Sequence, residues 1–446
     1  MLSWYKNIIV MNSTVHDWKK IGEHLPNIRI SFPEKSKLIK SKSVFELDLT
    51  FYTDSDVAHD DFEIKYQIMD SQNSTFIIRG KIEGSKEPDM EVYLENLETE
   101  NQAKGSVVAL PTRLKSTCLL FFIGESGHYI GPSINAESWM QDHRNILGDY
   151  SLEEICIPGS HDAGMSSVTW ITTFASECNT LTQTNNIFGQ LKLGTRYFDI
   201  RPVIQDDKFY TGHYSKIVLA WEGANGESLD SIIDGINQFT KNNNEVIIIR
   251  LNHTLTLDVC GLCTYREFNQ EEWFKLFEKL TNVNHLYYLD SLPDISVPTV
   301  NEMTNNGTRP AVLFLVGKKE TNIDLGKYKN KGFFYMSDMD MYDEYSHEDD
   351  LDKMADDQIN KMNENSLWQY FLLSWTLTQS IEEAVSCNKI DSYSIKSLAD
   401  HANERLIPII YPYITKRIYP NIIHIDNVKD DSTAILSLVI NWTIHS

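Results

Sequence analysis

Gly194-Thr195-Arg196-Tyr197-Phe198-Asp199-Ile200-Arg201-Pro202 decides how the larger part of the chain is read. Residues 196–200 make a strand-like run, and the twofold alternation of a strand puts Asp199 and Arg201 on one face and Phe198 and Ile200 on the other. An apolar face for covering helices, with charged groups pointing inward at the strand's carboxyl end, fits a parallel βα barrel. Further strand candidates lie outward from it at 155–157, 208–211, 246–251, 311–316, 333–336, 370–375 and 422–425. Segments of helical period alternate with them at 229–240, 270–280, 394–406 and 432–442, with Ser432 expected as a cap. These strands are enough to close a barrel.

Towards the N-terminus the rhythm differs. Phe62, Ile64, Tyr66 and Ile68 alternate with Glu63, Lys65 and Gln67, and similar short runs occur at 27–32, 44–52, 75–82, 91–94, 106–110 and 117–123. Such runs without helical periods predict an antiparallel sandwich, and 124–138, with Gly127, Gly131 and Pro132, reads as a linker. The expected fold class is α/β, a TIM-like (β/α) barrel over 136–446 preceded by an all-β sandwich-like domain over 1–135.

The chain has 446 residues, 41% of them hydrophobic and 23% charged, which excludes a disordered or collagen-like polymer. No apolar run approaches the roughly 18 residues that span a bilayer. The formal charge of -23 repels polyanions, so nucleic acid is not an expected partner, and contact with an anionic membrane should rest on apolar insertion or a local basic rim. Six Cys do not make a disulfide scaffold and fit a reduced compartment, and residues 1–6 do not open a secretory signal. The expected location is cytoplasmic, with peripheral membrane contact.

The chemistry collects just past the strands. The first is followed by Pro158-Gly159-Ser160-His161-Asp162-Ala163-Gly164, the second ends in Asp199-Ile200-Arg201, the third leads to Gly212-His213, the fourth to Asn252-His253, and the last ends in His424-Ile425-Asp426. Two His with separate carboxylates and a nearby Arg are what phosphodiester transesterification requires. One imidazole removes a proton from the attacking hydroxyl, the other protonates the leaving alkoxide, and the guanidinium meets charge on the phosphoryl oxygens. There is no Gly-x-Ser-x-Gly elbow, and a substrate carrying its own hydroxyl needs no protein nucleophile.

This ordered set, Pro-Gly-Ser-His-Asp, Arg-x-Phe-Asp-Ile-Arg, Gly-His and a final strand ending in Asp, resembles the X-domain of the phosphatidylinositol-specific phospholipase C family. It is most similar to the bacterial-type and small X-domain-only members, over roughly residues 139–442. The resemblance implies a TIM-like barrel that cleaves phosphatidylinositol-type lipids to diacylglycerol and a cyclic inositol phosphate. It implies His161 as general base assisted by Asp426, His213 as general acid assisted by Asp162, and Arg201 on the phosphate. Calcium-dependent relatives carry Asn after the first His and acidic residues at the positions of Arg201 and Leu251. Here Asp162, Arg201 and Leu251 stand there, so a calcium-independent reaction with no metal and no cofactor is expected. For the head group, the resemblance points to Asp340-Met341-Tyr342 as the Asp-x-Tyr pair, to Lys318 or Lys319 at the fifth strand, and to Asn252 or His253 in place of a basic residue.

Two other functions are weighed beside it. One is an X-domain scaffold that binds lipid or protein with little turnover, against which all five catalytic positions are filled. The other is a glycerophosphodiester-type phosphodiesterase, whose carboxylate-bound metal would sit badly beside Arg201. Asp199 reads as the buried partner of Arg201, the Cys260-x-x-Cys263 pair as inert, and the acidic run 347–352 as a solvated helix face.

Overall fold

The structure, a computed structural model, describes residues 2–25, 28–31, 34–53, 59–83, 88–217, 220–259, 265–289, 294–317, 323–380, 383–384, 387 and 393–446. The chain divides into two units. One comprises Met1–Ile134, Glu404–Ile414 and Trp442–Ser446, the other Asn135–Asn403 and Thr415–Asn441.

In the first unit the alternating residues Phe62, Ile64, Tyr66 and Ile68 are wholly buried, in one core with Ile8, Val10, Leu120 and Phe122. The core therefore lies between a five-stranded sheet containing Leu2–Thr14 and Thr117–Glu125 and a six-stranded sheet containing His59–Ile68. Among the described residues every pairing in them is antiparallel except that of Leu2–Thr14 with Thr117–Glu125, which is parallel. Leu2–Thr14 and Trp18–His24 lie ahead of the first expected strand. Polar residues hide the former: Asn12 is buried, its amide satisfied by the carbonyls of His16 and Ile39. The expected linker also carries the end of Thr117–Glu125 and the strand His128–Ile130.

The second unit is built on eight parallel strands, in chain order Ile157–Ser160, Tyr197–Ile200, Val246–Leu251, Ala311–Val316, Phe333–Tyr335, Met341–Tyr342, Tyr370–Trp375 and Ile422–Ile425. Each of the first four pairs with the next, Met341–Tyr342 pairs with Tyr370–Trp375 and that with Ile422–Ile425, and the last pairs back onto the first. Among the described residues no ladder joins Phe333–Tyr335 to Met341–Tyr342, so the sheet has the strand order of a TIM-like barrel with one open seam. As the alternation requires, Phe198 and Ile200 pack outward against Ile232, Ile236, Leu276 and Phe277 of the helices Leu229–Phe239 and Gln270–Leu280. Each such burial contributes about 1.5–3 kcal/mol. Ser228 caps the first helix and an Asn269/Glu272 capping box starts the second.

The third expected barrel strand is a correction. Residues 208–211 belong to a separate five-stranded sheet, in the strand Lys208–Ile217, which pairs antiparallel with Pro202–Gln205. Only seven residues separate Ile200 from Lys208, whereas a parallel connection needs about a dozen. Asp206 and Asp207, both with positive φ, instead close a tight hairpin. Ser432, expected as a cap, is the first residue of the Ser432–His445 helix. No helix among the described residues is long and apolar enough to cross a membrane.

Candidate active site

The turn that ends the Ile157–Ser160 strand aims two adjacent side chains. His161 donates its backbone N–H to Ile425 O (2.9 Å) and Ala163 donates to Asp199 O (2.8 Å), which fixes the turn between two neighbouring strands. Asp162 between them takes a left-handed conformation, φ 39°, which Asp tolerates better than most residues. Gly164 follows because a Cβ there would lie 2.3 Å from Thr211 Cγ2.

The charged groups then form one connected row. His161 Nδ1 lies 2.8 Å from Asp426 Oδ1, and His161 Nε2 is 2.6 Å from Arg201 Nη2. Arg201 Nη1 is 3.3 Å from Asp162 Oδ2, whose other neighbour is His213 Nδ1 at 2.7 Å. Arg201 Nε donates to Asp199 Oδ2 (3.3 Å), so the inward face predicted for Asp199 and Arg201 is observed. His161, Arg201, His213, Asp426, Tyr345 and Gln379 line one cavity of about 390 Å³. The His161 and His213 side chains are 12% and 22% exposed, whereas Asp426 and Asp162 behind them are 4% and 0%. The rings face the cavity and the carboxylates stay shielded.

The electrostatics follow from burial and from this row. Burial lowers the His161 imidazole, Asp426 raises it and Arg201 lowers it again; the net result lies above its ordinary value. Burial would raise the Asp199 carboxyl, but Arg201 and Arg250 more than offset this and hold it well below the usual carboxylate range. Such an arrangement offers two ring nitrogens for proton transfer, each ring oriented by its own acid, on either side of a fixed cation.

The expected head-group residues fare less well. Asp340 and Tyr342 are away from this cavity: Tyr342 stacks on Phe371 (5.7 Å, 15°), and Asp340 lines a second cavity with Trp368, Lys416 and Arg417 where the strands begin. The reason is one of register. A 3-10 turn at Met336–Met339 and a left-handed Asp340 displace the pattern, and Asp343-Glu344-Tyr345, with the same spacing three residues on, reaches the site instead. Tyr345 lines the cavity 5.4 Å from the His161 ring, while Asp343 pairs with the buried Arg250 at 2.6 Å. The repeated Asp-x-Tyr was visible in the sequence, but which copy faces inward was not. Asn252 is buried, its N–H held by Ile200 O (3.2 Å), and is not among the described residues lining the cavity. Lys318 and Lys319, like Cys260 and Cys263, lie outside the described residues. The expectation of reduced cysteines is corrected: Cys178 and Cys387 form a disulfide, and a separation of 209 residues gave no spacing signal for it.

No family model matches the chain. A PI-PLC X-box domain-containing protein of Dictyostelium discoideum is 26% identical over 141 residues, 28% of this chain and 18% of that relative. The match thus spans less than a fifth of the relative's own length, and the chain's similarity to the X-domain family, first read from its motifs, is met by it. Among solved structures, the phosphatidylinositol-specific phospholipase C of Listeria monocytogenes is similar over 69% of this chain and 99% of its own, with 18% identity and a TM-score of 0.49. That of Staphylococcus aureus, in a structure concerned with its membrane binding, is similar over 69% and 98%, with 17% identity and a TM-score of 0.46.

Proposed function

We propose that the chain is a calcium-independent phosphodiesterase that cleaves phosphatidylinositol-type lipids to diacylglycerol and a cyclic inositol phosphate. The observation that carries this reading is the row Asp426–His161–Arg201–Asp162–His213, of which His161, Arg201, His213 and Asp426 line one cavity and Asp162 lies buried behind it. His161 takes the proton of the inositol hydroxyl that attacks phosphorus. Arg201, released from His161 Nε2 as the phosphate enters, meets the phosphoryl oxygens, and His213 protonates the departing diacylglycerol oxygen. Asp426 and Asp162 orient the rings and stabilise them when charged. Peripheral lipid contact is supported by exposed apolar groups beside the cavity. Phe174, 77% exposed, accepts from Asn179, and Tyr393, 60% exposed, accepts from Gln379, both donors lining the cavity.

Purified protein given phosphatidylinositol vesicles should produce a cyclic phosphate signal in phosphorus NMR, at the same rate with and without EDTA. Bound lipid without turnover would favour the binding scaffold, and a rate abolished by EDTA would remove the role given to Arg201.

The raised His161 value sets the acid side of the pH profile. His161 must be neutral to act as base, so activity should fall as pH drops through a value above 6.5. Asp426→Asn removes the group that raises it, and the acid limb of kcat/KM should move to lower pH while the rate at neutral pH falls. An unmoved or upward-shifted limb would contradict the pairing. The same pair favours folding below about pH 6.5, where the unfolded imidazole is also charged, and this contribution disappears as pH rises through the folded value.

A further inference from the structure

Resting on that reading, we propose that Gln379 positions the head group and that the Cys178–Cys387 disulfide holds it at the cavity. Two walls of the cavity come from separate parts of the chain: Asn179 and Thr182 on one, residues 376–379 with Ala384 on the other. The first is fastened to the reacting groups, since Thr182 Oγ1 donates to Asp162 O (2.8 Å) and Gln183 Nε2 to His161 O (2.9 Å). The second is fastened to the first by the disulfide and by Asn179 Nδ2 donating to Ala384 O (3.1 Å). Gln379 itself is tied to this bridge, its Nε2 donating to Cys387 Sγ (3.3 Å) and to Tyr393 O (2.6 Å).

That arrangement limits what Gln379 can recognise. With its amide hydrogens engaged, the side chain offers a ligand only its carbonyl oxygen, an acceptor. An acceptor suits a hydroxyl and repels a phosphate, so the chemical class it selects at this wall is a polyol bearing a free hydroxyl. The disulfide does no chemistry in the reaction. It keeps that acceptor at a fixed position relative to the backbone that carries His161 and Asp162.

The test uses the full chain, oxidised, acting on soluble inositol 1,2-cyclic phosphate, with Gln379→Ala and the double variant Cys178→Ser/Cys387→Ser. Loss of one neutral hydrogen bond should raise KM about threefold to tenfold in either variant, with kcat and the pH profile unchanged. Wild type treated with a dithiol reductant, which takes up the bridge's oxidation as its own disulfide and leaves two Cys thiols, should match the double variant. Hydrogen exchange at residues 376–380 should rise in the double variant and reduced wild type, a readout independent of activity. An unchanged KM in Gln379→Ala, or an unchanged KM and exchange after reduction, would overturn the proposal while leaving the wild-type reaction intact. Failure of oxidised wild type to turn over any inositol phosphodiester would instead remove the reading beneath it, and this proposal with it.

Discussion

His161→Ala and His213→Ala should each lower turnover of phosphatidylinositol by roughly 10²- to 10⁴-fold, the range for a positioned acid or base. The two losses differ in origin. His161 touches both Asp426 and Arg201, so its removal takes away the base and leaves a carboxylate that is 4% exposed without its ring partner. That adds about 1–3 kcal/mol of lost stability. His213 shares Asp162 with Arg201, so in His213→Ala the carboxylate keeps a cation and the fold should be less affected. Because base and acid act within one displacement, the double variant should be scarcely slower than the worse single one. Rates by phosphorus NMR, beside thermal unfolding of each variant, check this. A folded single variant at the wild-type rate would take that histidine out of the mechanism, and fully multiplicative losses would mean the two rings do not act as a unit.

What the sequence disclosed and what it hid divide along physical lines. The face shared by Asp199 and Arg201, and the outward turn of Phe198 and Ile200, depend only on strand alternation, which a contiguous run reports directly. His161, Asp162 and Asp426 sit within a residue or two of strand ends, so reading past each strand reached them. His213 was reached for an incomplete reason: it stands within the Lys208–Ile217 hairpin strand, not at a barrel strand's end. The length of the connection held the missing information. Tyr345 was lost because two Asp-x-Tyr triplets stand three residues apart, and only the left-handed turn at Asp340 decides between them. Cys178 and Cys387 meet through tertiary packing, which local pattern does not encode.

Arg201→Lys should lower kcat by about 10²- to 10³-fold, the loss typical of removing one donor aimed at transition-state charge, although the formal charge is unchanged. The guanidinium reaches three partners with three different nitrogens: His161 through Nη2, Asp162 through Nη1 and Asp199 through Nε. An ammonium on a flexible stem cannot hold that fork, so it cannot be fixed against Asp199 and still present two N–H groups to a phosphate. Arg201→Ala should in addition lose about 3–5 kcal/mol of stability, because Asp162 and Asp199, 0% and 1% exposed, would keep their charge without this cation. The stability gap between wild type and this variant should narrow on acidification, since Asp199 is held well below the usual carboxylate range in the wild type and the stability its charge contributes there is lost as the carboxyl protonates. The separation of these effects makes the Lys variant the stronger test. If Arg201→Lys stays folded and keeps the wild-type kcat, charge alone suffices at that position and the fork has no part in the reaction. If its kcat falls while thermal unfolding and the pH profile's acid limb stay near wild type, the geometry of the guanidinium, beyond its charge, carries the phosphoryl group through the displacement.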